Sequence, residues 1–252
     1  MSWRKTYDGA EPQRVNKWLA GEGVCSRREA EALIAKGLVR IDGEQVEDAG
    51  RKILPGQSIE VGEARARPQI SVVLNKPVGV VSAQPEGGQI PAARLLTRAN
   101  LVGAPRNMPT KRTRLAPLGR LDQDSRGLLL LSEDGVLAKA VVGPESKLDK
   151  EYLVRVAGQI TEKKLALLRH GLALDGRRLK PAKVTETEPQ RLRFVLTEGR
   201  NRQIRRMCEL AGLDVTDLLR IRIGPLKLGA LPEGKWRALA PEERESLIRA
   251  SK

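Results

Sequence analysis

Asp122 is the residue of this 252-residue chain best placed to do chemistry. It lies in Gly119-Arg-Leu-Asp-Gln-Asp-Ser-Arg-Gly127, between Arg120 and Arg126, in a protein of net charge +15. The apolar run 128–131 is long enough for a buried strand, and Asp134-Gly135 supplies a turn after it. Asp122 is therefore expected on the approach to a strand, close to the core and among cations. A carboxylate held near cations stays ionised at neutral pH. It can then act as a nucleophile or as an arginine-paired anchor, but it is poorly suited to donate a proton. Pattern alone favours a duller reading, since most Arg-x-Asp-x-x-x-Arg arrangements are surface ion pairs or turns. Asp124 adds the option of a two-carboxylate glycosidase. A strand puts i and i+2 on one face whereas a turn splays them, and no second acid of raised proton affinity is evident.

The elements around Asp122 must supply a core and a partner. Hydrophobic residues make up 40% of the chain, but with three Trp, two Tyr and one Phe the core must be mostly aliphatic. No run approaches the roughly 18 apolar residues of a membrane span, and the first residues lack the apolar core of a signal peptide. Cys25 and Cys208 lie far apart and His170, expected on a helix surface, is the only histidine. A zinc site asks for about four such ligands, so none is available. The setting reads as cytoplasmic, with both cysteines as ordinary thiols. Residues 1–62 carry ten Lys/Arg and ten Asp/Glu, so the whole excess of fifteen lies in 63–252. A field of that size attracts polyanions, and nucleic acid is the expected partner.

Residues 14–61 read as a compact module, after an N-terminus (1–13) expected to be loose. A short helix closes at Gly21 and Gly23; Ser26 and Glu29 fit a capping box opening a second helix that stops at Gly37. Two short strands around Asp42-Gly43 and one over 58–61 complete it. Lys17, Arg27, Arg28, Lys36 and Arg40 could share one face. Residues 62–69 are polar and without hydrophobic period, a linker. Beyond them, strands are expected over 71–74, 150–156 and 191–196, and helices over 136–142, 160–172 and 203–211. Residues 84–116 read as a long basic loop, with Lys111, Arg112 and Arg114 as phosphate contacts or a solvated surface. The irregular order suggests an α+β fold with an antiparallel or mixed sheet.

Four separated blocks carry a resemblance: Asn75-Lys-Pro-Val-Gly79, Gly119-Arg-Leu-Asp122 into Gly127-Leu-Leu-Leu-Leu, Lys150-Glu-Tyr-Leu-Val154, and Glu198-Gly-Arg-Asn-Arg-Gln-Ile-Arg-Arg-Met207. Together they resemble the RNA pseudouridine synthases of the RsuA/RluB/RluE/RluF type. The N-terminal module resembles the small alpha-L RNA-binding domain that commonly precedes that catalytic domain. The ending, Leu219-Arg-Ile-Arg-Ile-Gly-Pro-Leu226 with Gly234-Lys-Trp-Arg237, is similar too. Each block alone is weak, but four in the family's order are specific. Asp124-Ser125 and the block through Cys208 look most like the RluF branch, which modifies large-subunit (23S) ribosomal RNA.

The resemblance implies an alpha-L RNA-binding domain over 14–61, the linker, and a mostly antiparallel pseudouridine synthase domain over 70–245, with a tail over 246–252. It implies that Asp122 is the essential nucleophile. Tyr152 then stacks on the flipped-out base, with a share in proton transfer, and Arg205 forms a salt bridge to Asp122. Arg120, Arg126, Lys76, Arg200, Arg202 and Arg206 are expected RNA contacts, beside the five cations of the N-terminal module. Ser125 and Arg126 could instead orient Asp122. No metal and no cofactor are implied, and the partner is a ribosomal RNA stem-loop or an assembling subunit, met by a monomer. Duller alternatives stand beside these: Tyr152 as an ordinary strand residue, Arg205 paired with Glu209 along its helix. Rival functions are a non-catalytic ribosome-assembly factor and a transfer-RNA synthase. A methyltransferase would want a glycine-rich cofactor loop after a first strand, and none is present.

Overall fold

A computed structural model describes residues 3–62, 69–83, 85–105, 107–110 and 113–251. The linker expected over 62–69 lies almost wholly outside them, as do Lys111 and Arg112. The chain divides into two compact units, one up to Gln69 with Asp134–Ala138, the other Ile70–Glu133 with Lys139 onward.

In the first unit, helices Val15–Gly21 and Arg27–Ala35 pack beside a four-stranded sheet. The capping box forms as read: the Ser26 side chain accepts from the Glu29 amide, and Glu29 accepts from the Ser26 amide. Asp42 and Gly43 take positive φ between strands Val39–Ile41 and Glu44–Gln45, which a tight hairpin turn requires. The N-terminus differs from expectation. Trp3–Thr6 is a strand paired with Ser58–Val61, and Tyr7 is buried edge-on against Trp18. Tyr7 and Trp18 are buried in the module's core and Trp3 packs on Trp18, so aromatic contacts hold the segment against the module.

The second unit is built on a nine-stranded sheet. Its main path runs Lys183–Glu188, Arg191–Leu196, Lys150–Ala157, Asp214–Ile223, Arg126–Ser132, Ser71–Lys76, Trp236–Ala238. Arg126–Ser132 and Asp214–Ile223 run parallel; the other pairs are antiparallel. The leucines 128–131 are all buried, as a strand covered on both faces demands. Helices Glu162–His170 and Gln203–Leu210 cover one part of the sheet around Phe194 and Leu192. A second cluster gathers Leu74, Leu129, Leu131 and Trp236.

Two expectations are corrected here. Residues 84–116 are only partly loop: two 3₁₀ turns, Ala92–Leu95 and Arg98–Asn100, bring Ala92, Leu95 and Leu96 into the second cluster. The Trp236 indole donates to the Thr97 carbonyl at 2.8 Å, tying the segment to the sheet edge. The tail expected from 246 is the second half of a helix, Pro241–Ala250, whose Leu247 is fully buried. Among the described residues no helix is long and apolar enough to cross a membrane.

Candidate active site

The loop bearing Asp122 is fixed from three directions. The Ser82 hydroxyl donates to the Leu121 carbonyl at 2.6 Å and accepts from the Leu121 amide at 2.9 Å. The Gly79 amide donates to the Gln123 carbonyl at 2.8 Å, so the Asn75-Lys-Pro-Val-Gly79 block cradles the loop. Arg220, 1% exposed, donates to the carbonyls of Leu128 at 2.8 Å, Gly119 at 3.3 Å and Arg120 at 3.4 Å. A planar guanidinium can span three carbonyls where an ammonium cannot. Leu121 is buried while the Asp122 side chain is 37% exposed, so the loop anchors in the core and presents its carboxylate outward.

The cations around Asp122 are not arranged as the sequence suggested. Arg202 Nη1 meets Asp122 Oδ2 at 3.8 Å. Arg205, expected to pair with Asp122, instead meets Asp124: its Nη2 donates to the Asp124 carbonyl at 2.7 Å and its Nε lies 3.2 Å from Asp124 Oδ2, without hydrogen-bond alignment. Its Nη1 donates to the Val215 carbonyl, which fixes the guanidinium against the neighbouring strand. Asp124 is also held by Arg202 through both oxygens, at 2.8 and 3.2 Å. Burial raises the Asp124 carboxyl, but the Arg202 hydrogen bonds and the nearby Arg205 charge outweigh it and hold the group below the usual carboxylate range. The cause is the turn: Ser125 donates its amide to the Asp122 carbonyl, and i and i+2 are splayed rather than stacked. Arg202 itself takes a left-handed φ of 48° at the start of helix Gln203–Leu210, which sets its side chain against both aspartates.

Tyr152 lies on strand Lys150–Ala157, opposite Phe194 on one side and Arg220 on the other. It is half-buried and packs against both core clusters. Asp122, Tyr152, Arg202, Arg205 and Arg220 line one cleft of ≈ 460 Å³. The side-by-side strands thus bring three sequence-distant blocks to a single opening, with an ionised group, an aromatic plane and cations on its walls. Among the described residues no cluster of three or more His, Cys, Asp or Glu stands ready to hold a metal ion.

The remaining cations fall into two groups. Lys76 is fully buried, its ammonium donating to the carbonyls of Pro77 at 2.9 Å and Val80 at 2.7 Å, and is no surface contact. Arg126 forks onto Asp217 at 2.7 and 2.8 Å, away from Asp122. Arg200 donates to the carbonyls of Leu174, Arg177 and Arg178, and Arg206 grips Asp175 through both oxygens. By contrast Arg120 and Arg114 are exposed, as are Lys17, Arg27, Arg28, Lys36 and Arg40 of the first unit. Of these, Arg40 donates back to the Gly43 carbonyl at 3.1 Å. Sequence reasoning missed Ser82, for which no local signal exists, and Arg220 and Lys150. Lys150 had one, since strand alternation puts it beside Tyr152; the pairing of Tyr152 with Arg220 lies across the sheet, next to a register shift, and has no local signal.

Comparison with known proteins agrees with this arrangement. Residues 70–210 match the RNA pseudouridylate synthase family and residues 13–59 the S4 domain. The chain is 35% identical over 241 residues to the dual-specificity RNA pseudouridine synthase RluF of Escherichia coli K12, covering 94% of this chain and 78% of the relative. It is 35% identical over 244 residues to the ribosomal large subunit pseudouridine synthase B of Bacillus subtilis, covering 93% and 95%. A crystal structure of a pseudouridylate synthase superposes with a TM-score of 0.64 at 28% identity, covering 93% of this chain and 99% of that one. A cleft that joins a fixed carboxylate to an aromatic plane inside a domain of this match identifies the chain as a member of the RNA pseudouridylate synthase family.

Proposed function

We propose that the protein isomerises one uridine of ribosomal RNA, in the large (23S) subunit RNA, to pseudouridine, with Asp122 as nucleophile. The relatives named for large-subunit ribosomal RNA and for dual specificity support the substrate class. The observation that carries the chemistry is the shared cleft: Asp122 and Tyr152 line the same opening from different strands and loops. The reaction breaks the N1–C1′ bond, turns the uracil and joins C5 to C1′, with a proton moving from C5 to N1 overall. A carboxylate can start it by adding to the sugar or the base, or by taking a proton from the sugar. Each route needs the base outside its stack, at a cost of a few kcal/mol that an aromatic plane partly offsets. Tyr152 supplies that plane. Arg202, rather than Arg205, is the cation that meets the Asp122 carboxylate, while Asp124 holds both arginines in place.

The test is a pseudouridine map of ribosomal RNA from cells lacking the gene, repeated after adding back wild type or Asp122→Asn. One site lost and restored by wild type alone establishes both the reaction and the role of Asp122. In vitro, Asp122→Asn is expected to bind RNA within about twofold of wild type while turnover falls by ~10³-fold or more, because the group acts only in the reaction. Turnover near wild type removes Asp122 from the chemistry. An unchanged ribosomal map moves the substrate to transfer RNA, to be mapped the same way.

A further inference from the structure

We propose that Lys150 is the anion-binding group of the cleft and receives a phosphodiester oxygen of the target nucleotide, an inference that rests on the uridine-isomerising reading above. The cleft is rich in cations, but most are already engaged by the protein. Arg200 and Arg220 are spent on backbone carbonyls, Arg202 and Arg205 on Asp124. Arg120 and Lys180 remain at the exposed rim. Lys150 is the one half-buried cation of the lining that has no hydrogen-bond or ion-pair partner among the described residues.

Its surroundings explain why it stays open. Lys150 opens the strand that carries Tyr152 and shares that residue's face, two positions away. Across the sheet it pairs with Leu196 and Ile223, both buried, so apolar groups flank its stem. The two acids adjacent in sequence are both engaged by arginines. Asp149 is gripped by Arg222 at 2.6 and 2.9 Å. Glu151 points to the opposite face, where Arg193 and Arg222 each reach it at 2.7 Å. Burial, with Arg220 adding to it and a weaker pull from Asp149 opposing it, makes the Lys150 ammonium easier to deprotonate than an ordinary lysine. A partly desolvated cation without a counter-charge is costly, and the cost is offset when a ligand brings an anion. RNA offers neutral acceptors, the uracil carbonyls and sugar hydroxyls, and one anionic acceptor, the phosphodiester. A neutral acceptor would leave the charge uncompensated next to Arg220; a phosphate removes it. The cation that fixes the nucleotide's backbone would then stand on the same face as the ring on which its base stacks.

The experiment uses the full-length protein and an in-vitro transcribed, unmodified 23S ribosomal RNA as the probe. Binding is measured against salt concentration, and turnover against RNA concentration, for wild type, Lys150→Met and Lys150→Arg. Lys150→Met is expected to raise Kd and KM about tenfold, and to make the slope of log K against log salt shallower by about 0.7–0.9, the loss of one phosphate contact. Lys150→Arg is expected to restore the slope, which a purely structural role would not predict. An unchanged slope with wild-type affinity overturns the proposal. So does weakened affinity at an unchanged slope, which identifies a neutral acceptor. Lys150→Gln replaces Lys150→Met if the latter does not fold. If wild type makes no pseudouridine but the slope still shifts, the isomerase reading falls and the phosphate contact stands. If wild type isomerises and the slope does not shift, only the role of Lys150 falls.

Discussion

Lys76 sits in the core with its ammonium hydrogen-bonded to two carbonyls, beneath the loop that carries Asp122. Burial lowers its pKa to about 8, against the opposing pull of Asp122, Asp124 and Glu233 and with the help of Arg220. The unfolded chain holds that proton up to an ordinary lysine value of 10.5. Between about pH 8 and 10.5 the unfolded state therefore binds more protons than the folded one, and stability gains from raising pH. The stability difference between wild type and Lys76→Met should move in favour of wild type by roughly 2–3 kcal/mol from pH 7 to 10, at about 1.4 kcal/mol per unit. Denaturant titrations at several pH values measure it, and a flat difference would show that Lys76 titrates normally. The sequence reading made Lys76 an RNA contact, whereas the structure makes it one of the rare lysines that are fully buried. That reading singled out Asp122 and Tyr152, which line one cleft, because their blocks are local and distinctive. It paired Arg205 with the wrong aspartate because two carboxylates in one turn differ only in the direction the backbone gives them.

At the scale of elements, the strand Arg126–Ser132 decides where the Asp122 loop can stand. Its parallel pairing with Asp214–Ile223 sets Gly127 against Arg220. A Cβ at Gly127 would lie 2.3 Å from the Arg220 carbonyl oxygen and 2.8 Å from its amide nitrogen, at a φ of +106° that side chains rarely adopt. The clash is with backbone, so it cannot be relieved by a rotamer change. Arg220 in turn holds the carbonyls of Gly119 and Arg120, so any shift reaches the Asp122 loop. Gly127→Ala is expected to destabilise by at least about 3 kcal/mol and to depress turnover more than RNA binding. Chemical denaturation with parallel assays checks this, and a loss within about 1 kcal/mol would mean that the two strands separate easily. The sequence carries the glycine but not its neighbour. Elements with local signals, such as the capping box at Ser26 and the alternating strand from Lys150, were legible. The strand Trp3–Thr6 and the turns within 84–116 were not. Each is stabilised by partners far along the chain, Ser58–Val61 in one case and Trp236 in the other, and no local period records such partners.

For the whole molecule, the distribution of charge separates attraction from placement. The excess of fifteen positive charges lies in residues 63–252, while residues 1–62 are neutral. Long-range attraction of RNA is therefore expected to come from the catalytic domain, and the S4 module must act through the position of its few cations rather than their sum. Lys17, Arg27, Arg28 and Lys36 are exposed, and Arg27 and Arg28 open a helix whose cap is already satisfied by Ser26 and Glu29. We infer that they are available for phosphate contact. The double variant Arg27→Gln/Arg28→Gln should raise KM several-fold and make the salt slope shallower by up to about 1.4–1.8, with kcat unchanged. Asp122→Asn should show the reverse pattern, a lost kcat with binding and slope preserved. Steady-state turnover across a salt series reads both variants together. If the double variant instead lowers kcat at saturating RNA, the S4 module helps to set the base in the cleft, and the division between a module that binds and a domain that reacts is wrong.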